Sequence, residues 1–315
     1  MQEFGEWKML DLDVKQLVVG YLDYGSRCNL RLCSRDDNAL VKSTKYVPKL
    51  FSIEEQRGTG KSVIFVRYDY FTLRLTEEKN VTSVERIWSP EQTTHKEANR
   101  YDVAREIVDR MMIGGKIRAR RIQILNFSFE PSDQWILKCD ELQTRMIGSR
   151  RVRMWLQKTI PKLKRLEVLD WGVENCIMDM PQVQNTKEYL KISRDVIISD
   201  EQLKKIRAPS VVIISKDTLT VDGVSKALKK YVEKSKAGDV FQMRFRISKQ
   251  FLSPETHSEL FDKKWKVEQI EIDDVEEGFF CYKIVGGFEN ENGIQEFGNI
   301  QLFVFPSYVT VKVNN

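Results

Sequence analysis

Beyond residue 98, short apolar runs alternate with amphipathic segments, and this alternation limits the possible folds more than any other feature of the chain. Runs rich in β-branched residues, such as Ser210 to Ser215, predict strands. The segment from Ala104 to Met112 carries apolar residues at helical spacing and is followed by Gly114-Gly115, which predicts a helix. We therefore expect an α/β region with a mainly parallel sheet. The irregular strand spacing favours a degenerate solenoid resembling leucine-rich repeats over a closed barrel.

The same reasoning places the other elements of this region. Helices are predicted over Arg151 to Ile160 and from Thr220 onward. Ser199 and Gln202 have the spacing of a capping box at the start of another helix. Further strands, the last two with an antiparallel pattern, are predicted at Arg121 to Phe129, Leu166 to Trp171, Glu188 to Ser193, Val240 to Ile247, Val267 to Ile272, Phe279 to Val285 and Ile300 to Val313.

Residues 9–45 predict a separate helical module. Five residues of its first helix follow the spacing i, i+3, i+4, i+7, i+8 and form one apolar face: Val14, Leu17, Val18, Tyr21 and Leu22. Asp13, Ser26 and Ser34 are the predicted N-caps of three short helices. Leu40 and Val41 are predicted to lie on the buried side of the third helix. The core of such a module is thin, so we expect it to pack against a neighbour.

A β-rich stretch follows the helical module. Ser62 to Thr76 is rich in β-branched and aromatic residues and predicts one or two strands. Ser89 to Ala98 is polar and contains Pro90, so it is the best candidate for a loop or linker.

RGTGKS, Arg57 to Ser62, has part of the Walker phosphate-loop pattern. The full pattern needs a glycine where this chain has Glu55, and it needs a helix after the loop. Val63 to Tyr70 has the composition of a strand instead. We therefore interpret this segment as a turn that enters a strand.

Residues with catalytic or metal-binding chemistry are few and isolated. The chain of 315 residues has two histidines, His95 and His257, and neither has a cysteine nearby. Its five cysteines form no CxxC pair, so a zinc site and a disulfide framework are both disfavoured. The acidic run Asp273 to Glu277 lacks the ligand order of a calcium loop. We therefore expect no catalytic residues, no metal and no cofactor, and an enzyme ranks last among the functions considered.

Charge is polarised along the chain although the formal net charge is only +5. Residues 96–165 hold 17 Lys plus Arg against 8 Asp plus Glu, a balance of +9, whereas residues 266–296 hold 2 against 9, a balance of −7. The densest cations form a candidate basic partner patch: Lys116, Arg118, Arg120, Arg121, Arg150, Arg151 and Arg153. This patch is compatible with an RNA-associated or translational regulatory protein, or with an acidic partner. No RNA-binding motif accompanies it, so nucleic acid is not favoured, and a solvated edge or a contact with the chain's own acidic end stays open.

The sequence also predicts a compartment. The first residues, MQEFGEWKML, show no basic start followed by an apolar run, and no window approaches the roughly 20 apolar residues of a membrane helix. The cysteines are odd in number and widely spaced, which is typical of reduced thiols. We expect a cytoplasmic and/or nuclear protein with no membrane association.

The helical module carries a more specific motif. It matches the pattern of an F-box at three places: Leu22-Asp23, Leu30-Arg31 and Leu32-Cys33-Ser34-Arg35. The module resembles in particular the F-box of the large nematode family whose members carry an F-box-associated or FTH-type C-terminal domain. Leu203 to Tyr231 is similar to part of that domain. Two positions depart from the pattern, since Asp11 stands where the family usually has proline and Asn38 where it often has a bulky aromatic residue.

The resemblance implies a fold and a domain organisation. The chain is expected to be α/β (α+β overall), with a small N-terminal three-helix F-box followed by an irregular leucine-rich-repeat-like α/β region. The F-box is expected at 8–45, a β-rich connecting segment at 46–95, and an F-box-associated, FTH-like substrate-binding region at 96–315.

The resemblance also implies a function, that of a substrate-recognition adaptor of an SCF-type (Skp–cullin–F-box) ubiquitin ligase. F-box helices pack against a Skp-type adaptor, which binds a cullin, and the C-terminal region holds a protein substrate. Apolar helical residues would dock in a helix-in-groove mode, with Leu12, Leu22 and Leu30 as anchors. The expected adaptor-binding residues are Leu10, Leu12, Val14, Leu17, Val18, Leu22, Leu30 and Leu32.

Overall fold

The structure is a computed structural model. It describes residues 5–58, 62–87, 89–112, 115–145, 148–169, 175–215, 219–234, 240–246, 266–270, 280–285, 287–290, 293–296, 300–305 and 308–314. The chain forms two compact units, Met1–Cys139 and Asp140–Asn315. This division differs from the three predicted domains, whose boundaries stay a prediction.

Helices open the first unit: α1 (Gly5–Met9), α2 (Leu12–Tyr21), α3 (Tyr24–Arg31) and α4 (Arg35–Ser43). The three predicted helices are present, and α1 precedes them. Val19, Leu40 and Val41 form their buried core, as was predicted for the last two. Trp7, Leu22 and Leu30 pack partly buried against that core.

One predicted N-cap is confirmed and two are wrong. The Ser34 hydroxyl accepts a hydrogen bond from the Asp37 N–H at 3.0 Å and so caps α4. The cap of α3 is Asp23, whose carboxylate accepts from the Ser26 N–H at 2.7 Å, so Ser26 lies inside the first turn. The residue preceding α2 is Asp11, and Asp13 lies in its first turn. Acidic residues stand at neighbouring positions here, so spacing alone allowed more than one helix start.

A sheet follows the helices in the same unit. Its elements are β1 (Leu50–Arg57), β2 (Ser62–Tyr68), β3 (Phe71–Glu78), β4 (Val81–Arg86), β5 (Ser89–Lys96), α5 (Arg100–Met111), β6 (Lys116–Arg118), β7 (Arg121–Leu125) and β8 (Ile136–Lys138). The strand order is β7-β1-β2-β3-β4-β5, with β1 and β7 parallel and the other neighbours antiparallel. Strands β6 and β8 form a separate parallel pair. The predicted helix before Gly114 and the strand pair within 62–76 are both confirmed.

The predicted loop at 89–98 is wrong, because most of this segment forms β5. It pairs with β4 through contacts such as Ser83 with His95, and it lies at the end of the strand order. Residues 93–95 are exposed. An edge strand buries little and tolerates proline, so its polar composition resembles that of a loop.

Glu55 of β1 connects several elements of the first unit. Its side chain is 1% exposed and accepts hydrogen bonds from Ser62 Oγ at 2.8 Å and Tyr101 OH at 2.7 Å. Ser128 donates from its backbone N–H and its hydroxyl, at 3.2 and 2.7 Å. The Arg100 guanidinium lies 3.6 Å away. Burial raises the pKa of Glu55, but the hydrogen bonds from Ser128, Tyr101 and Ser62 outweigh it, so its pKa lies below the usual value.

The second unit begins with alternating strands and helices. These are β9 (Glu141–Arg145), α6 (Ser149–Gln157), β10 (Arg165–Val168), a 3-10 helix (Asn175–Ile177), α7 (Pro181–Gln184), β11 (Tyr189–Val196), α8 (Asp200–Lys205), β12 (Ser210–Ser215), α9 (Val221–Lys234) and β13 (Val240–Arg246). Strands β9 to β13 pair in parallel in chain order. The predicted α/β region with a parallel sheet is therefore confirmed for this part of the chain.

Helices α8 and α9 pack closely. Ser199 and Gln202 form the predicted capping box at the start of α8. Asp200 accepts hydrogen bonds from the Thr220 N–H at 3.1 Å and the Thr220 hydroxyl at 2.6 Å, immediately before α9. A Cβ atom at Gly223 would lie 1.9 Å from Asp200 Cγ. The close approach of residue 223 to the Asp200 side chain therefore requires glycine at position 223.

The unit ends in antiparallel strands. They are β14 (Lys266–Ile270), β15 (Phe280–Val285), β16 (Gly287–Asn290), β17 (Gly293–Glu296), β18 (Ile300–Phe305) and β19 (Tyr308–Asn314). The order continues as β13-β19-β18-β15-β14, and β16 with β17 forms a hairpin. The antiparallel pattern predicted for the end of the chain is confirmed. Across the described part of the chain, no helix has the length and apolar character needed to cross a membrane.

Candidate adaptor-binding face

Helix α2 carries apolar residues on a buried side and on an exposed side. Val19 is fully buried and packs with α4, and Leu22 follows it into the small helical core. The other side carries Val14, Leu17, Val18 and Tyr21, which face solvent. Leu17 is 62% exposed and Tyr21 is 85% exposed. The single apolar face predicted from spacing is therefore two faces, and most of its residues lie on the exposed one.

The predicted adaptor-binding residues divide in the same way. Leu22 and Leu30 are half-buried against the core of the helices. The other six are exposed: Leu10, Leu12, Val14, Leu17, Val18 and Leu32. Among the described residues, nine of the fourteen exposed large hydrophobic side chains lie between Met9 and Val47. Exposed apolar surface is thus concentrated in this small part of the chain, and its role in docking stays a prediction.

Three residues of this region were not among the predicted set. Met9, at the end of α1, and Tyr21, at the end of α2, are among the most exposed apolar side chains of the helices. Tyr21 stands seven residues after Val14, so helical spacing already placed it on the same face as Val14. Trp7 packs against the helical core, and its indole N–H donates to Asp37 Oδ1 at 2.9 Å. No motif in the sequence pointed to Trp7.

A groove of about 800 Å³ lies between the first two helices and the next two. Trp7, Val18, Leu22 and Leu30 provide its apolar lining. Charged residues complete the lining, among them Lys8, Lys15, Asp36 and Asp37. The two half-buried members of the predicted set, Leu22 and Leu30, therefore still reach a surface that a partner can contact.

The exposed face and the groove suit association with another protein. Leu12 and Leu17 are each 62% exposed, and their complete burial in a partner would contribute on the order of 1–2 kcal/mol each. An amphipathic partner helix can use such a surface in a helix-in-groove mode. The polar residues around the groove can then fix its orientation.

The residues of the candidate basic patch belong to both compact units. Lys116 and Arg118 lie on β6, Arg121 begins β7, and Arg120 between them is exposed. Arg118 is half-buried, and its Nε has no hydrogen-bond partner among the described residues. The other three lie on α6 in the second unit, where Arg150 and Arg153 are exposed and Arg151 is half-buried. Their joint use by one partner stays a prediction.

The remaining candidate residues show no catalytic arrangement within the described chain. His95 is exposed on β5, and its Nδ1 lies 3.0 Å from Ser83 Oγ. The described residues contain no group of three or more His, Cys, Asp or Glu side chains able to hold a metal ion. Cys28, Cys33, Cys139 and Cys176 form no disulfide bond with the described residues. His257 and the acidic run 273–277 lie outside the described residues.

Comparison with known proteins identifies the helical part. Residues 7–48 match the F-box domain. The chain is 22% identical to an uncharacterized F-box protein of Caenorhabditis elegans, in a match that covers 73% of this chain and 67% of that protein. No solved structure matches the chain at a significant level. The predicted F-box and the predicted likeness to a nematode F-box protein are therefore confirmed.

The F-box match indicates a general function. F-box domains bind a Skp-type adaptor and through it connect to a cullin, and F-box proteins are in general non-catalytic adaptors of SCF ubiquitin ligases. The exposed face of α2 lies within the matched residues 7–48.

Proposed function

We propose that this protein is a substrate-recognition subunit of an SCF-type ubiquitin ligase and that it has no catalytic activity of its own. The observation that carries the proposal is the solvent-exposed apolar face of α2, within a segment that matches an F-box. Exposed apolar surface on so small a domain is unfavourable in water and gains free energy when a partner covers it. We also propose that the protein acts in the cytoplasm, the nucleus or both.

The proposed docking surface combines the exposed face with the groove beside it. Leu12 and Leu17 are the proposed anchors on the face, with Leu10, Val14 and Val18 around them. Leu22 and Leu30 contribute from the groove, where they also support the helical core. Leu32, which is 86% exposed at the end of α3, lies at the edge of the same module. A docking interface of standard size covers roughly 800 Å² on each partner, which this set can supply.

The rest of the chain is proposed to hold a protein substrate. We assign this role to residues 96–315, as an FTH-like and leucine-rich-repeat-like region that follows the F-box at 8–45 and the connecting segment at 46–95. The parallel strands β9 to β13, joined by helices, support a repeat-like arrangement of this kind. The relative from Caenorhabditis elegans extends well beyond the F-box in its likeness to this chain, which supports a shared organisation.

The docking proposal can be tested with a matched pair of tyrosines. Tyr21→Asp places a charge on the exposed face, whereas Tyr70→Asp places the same charge on a turn of the sheet, where Tyr70 is 79% exposed. Binding of the full chain to a purified Skp-type adaptor is measured by calorimetry for wild type, both variants and Leu12→Asp with Leu17→Asp. We expect tenfold or greater weakening for Tyr21→Asp and loss of binding for the double variant, with Tyr70→Asp unchanged. Equal affinity of wild type and the double variant would exclude the proposed face.

Substrate recognition needs a second experiment. The wild-type chain and the Leu12→Asp, Leu17→Asp variant are each purified from cells with their bound proteins, which are identified by mass spectrometry. Adaptor and cullin should appear only with the wild type, and a substrate should appear with both. If nothing but adaptor and cullin is enriched with wild type, and nothing with the variant, the substrate-binding role of residues 96–315 is contradicted.

A further inference from the structure

A second cavity lies where residues of α3 and α4 meet residues of the sheet and of α5 in the same unit. Its volume is about 330 Å³, within the range of small-ligand pockets. Val41, Met111 and the rings of Tyr24, Tyr46 and Tyr68 line it. The pocket therefore has an aromatic and apolar wall that can hold a small apolar group.

The charged residues of this pocket all have the same sign. Arg27 and Arg31 come from α3, Lys42 from α4 and Arg110 from α5. No Asp or Glu is among the described residues that line the cavity. Arg110 forms an ion pair with Glu106, so its charge is partly neutralised. The other three cations have no ion pair with the described residues.

Arg27 is the least solvated of these cations, at 3% exposure. Its Nε donates to the Leu22 carbonyl and its Nη1 to the Thr44 carbonyl, both at 3.2 Å, and its guanidinium lies over the Tyr46 ring at 4.4 Å. Its Nη2 is buried and has no hydrogen-bond partner among the described residues. Burial of a guanidinium without a counter-ion and with an unpaired N–H donor costs free energy. A ligand that supplies a negative charge and a hydrogen-bond acceptor is therefore favoured.

The neighbouring carboxylate is already engaged. Asp69 accepts hydrogen bonds from the Tyr46 hydroxyl and from the Leu50 N–H, the latter at 2.9 Å. Burial raises the pKa of Tyr68 to about 12, so this phenol stays neutral at physiological pH. Asp69 is not among the residues that line the cavity, and the neutral Tyr68 adds no negative charge that would balance its cations.

We propose that this pocket binds a phosphate monoester on a small apolar or aromatic stem, held by the buried Arg27 and by the more accessible Arg31 and Lys42. A phosphate monoester carries nearly two negative charges at neutral pH and offers three acceptor oxygens. Guanidinium groups match this geometry better than other cations do. The tyrosine rings and Met111 receive the stem. This inference is independent of adaptor docking, since none of the proposed adaptor-binding residues lines the pocket.

The test uses phenyl phosphate as the probe and the full chain as the protein. Calorimetric titration at fixed ionic strength compares wild type with Arg31→Gln, Lys42→Ala and Lys45→Ala. Lys45 is an exposed lysine three residues after Lys42 and does not line the cavity, so it is the matched control. Variants of Arg27 are avoided because this residue also holds the Leu22 and Thr44 carbonyls.

We expect one saturable site in wild type, with affinity about tenfold lower in Arg31→Gln and Lys42→Ala and within about twofold in Lys45→Ala. A phosphotyrosine peptide is titrated beside phenyl phosphate to identify the source of the phosphate group. Tighter binding of the peptide assigns the site to a phosphorylated protein, and equal affinity assigns it to a free small molecule. The proposal is overturned if phenyl phosphate does not saturate, if phenol binds equally well, or if Lys45→Ala weakens binding as much as Lys42→Ala.

Discussion

The helical module and the sheet that follows it in the same unit place their apolar side chains in opposite ways. Among the described residues of the helices, the buried apolar side chains are Val19, Leu40 and Val41, whereas eight large apolar side chains between Met9 and Leu32 are exposed. In β1 to β3, side chains such as Ile53 and Leu75 are completely buried. The sheet is thus stabilised by its own packing, whereas the helices leave apolar side chains exposed to solvent.

The two regions also differ in where they place their carboxylates. The sheet buries Glu55 and surrounds it with donors from three other segments. In the helices, the Asp23 and Asp37 carboxylates, which accept hydrogen bonds from the Ser26 N–H and the Trp7 indole N–H, stay near the surface at helix starts. A buried, fully hydrogen-bonded carboxylate fixes one arrangement of its neighbours, so we expect the sheet to unfold cooperatively and the helices to open more easily.

The largest expected effect concerns Glu55. Glu55→Ala removes the acceptor shared by Ser62, Tyr101 and Ser128 and leaves Arg100 with less compensation, so it should lower the free energy of unfolding by about 3–5 kcal/mol. Urea denaturation measures the change. Glu85→Ala is the control, because Glu85 pairs with Arg74 at the surface and its loss should cost no more than about 1 kcal/mol. Similar losses for the two variants would show that the buried network adds nothing.

A matched pair of leucines tests the difference in packing directly. Leu75→Ala removes a fully buried side chain from the sheet and should cost about 2–5 kcal/mol. Leu17→Ala makes the same change on the exposed face of α2 and should cost less than about 0.5 kcal/mol. The order should reverse for adaptor binding, which only Leu17→Ala weakens. A stability loss above 2 kcal/mol for Leu17→Ala would place Leu17 in a core and not on a docking face.

The pKa of Glu55 adds a dependence on pH. Its pKa in the folded chain lies below the usual value of 4.5, so its ionised form is preferentially stabilised by folding. This stability is fully present above pH 4.5 and is lost as the pH falls through the lower pKa of the folded state. Urea denaturation of wild type and Glu55→Gln between pH 6 and pH 3 should therefore give free energies that converge toward low pH. A constant difference over this range would mean that Glu55 is not ionised in the folded chain.

Sequence patterns predicted the helices and strands that depend on residues close together in the chain. The apolar run Ser210 to Ser215 forms β12, and the Ser199–Gln202 capping box is present, because both depend on residues close in the chain. The strand β5 was missed because an exposed edge strand needs no apolar residues. The local sequence pattern is therefore enough to predict a helix or strand that buries an apolar face.

At the candidate site, the sequence alone could not predict which side chains are buried and which are exposed. Spacing predicted an apolar α2, but it could not tell that Val19 packs inward while Leu17 and Tyr21 face solvent. That choice depends on where α4 lies, which is a tertiary property. Glu55 is a similar case, because its sequence position only argued against a phosphate loop. Its role comes from Tyr101 and Ser128, which lie 46 and 73 residues away in the chain.

The smallest expected effect concerns the helical module itself. Ser34→Ala removes the cap of α4, the helix that carries Leu40 and Val41, and should cost about 1 kcal/mol. Since we expect the module to open more easily than the sheet, the loss should appear mainly as faster amide hydrogen exchange in α4, with little change in the exchange of β1 to β3. Ser43→Ala, at the other end of α4, is the control and should change exchange far less. Addition of a Skp-type adaptor should restore protection in Ser34→Ala, because binding stabilises the folded module. Equal acceleration in helices and sheet would show that the two regions unfold as one.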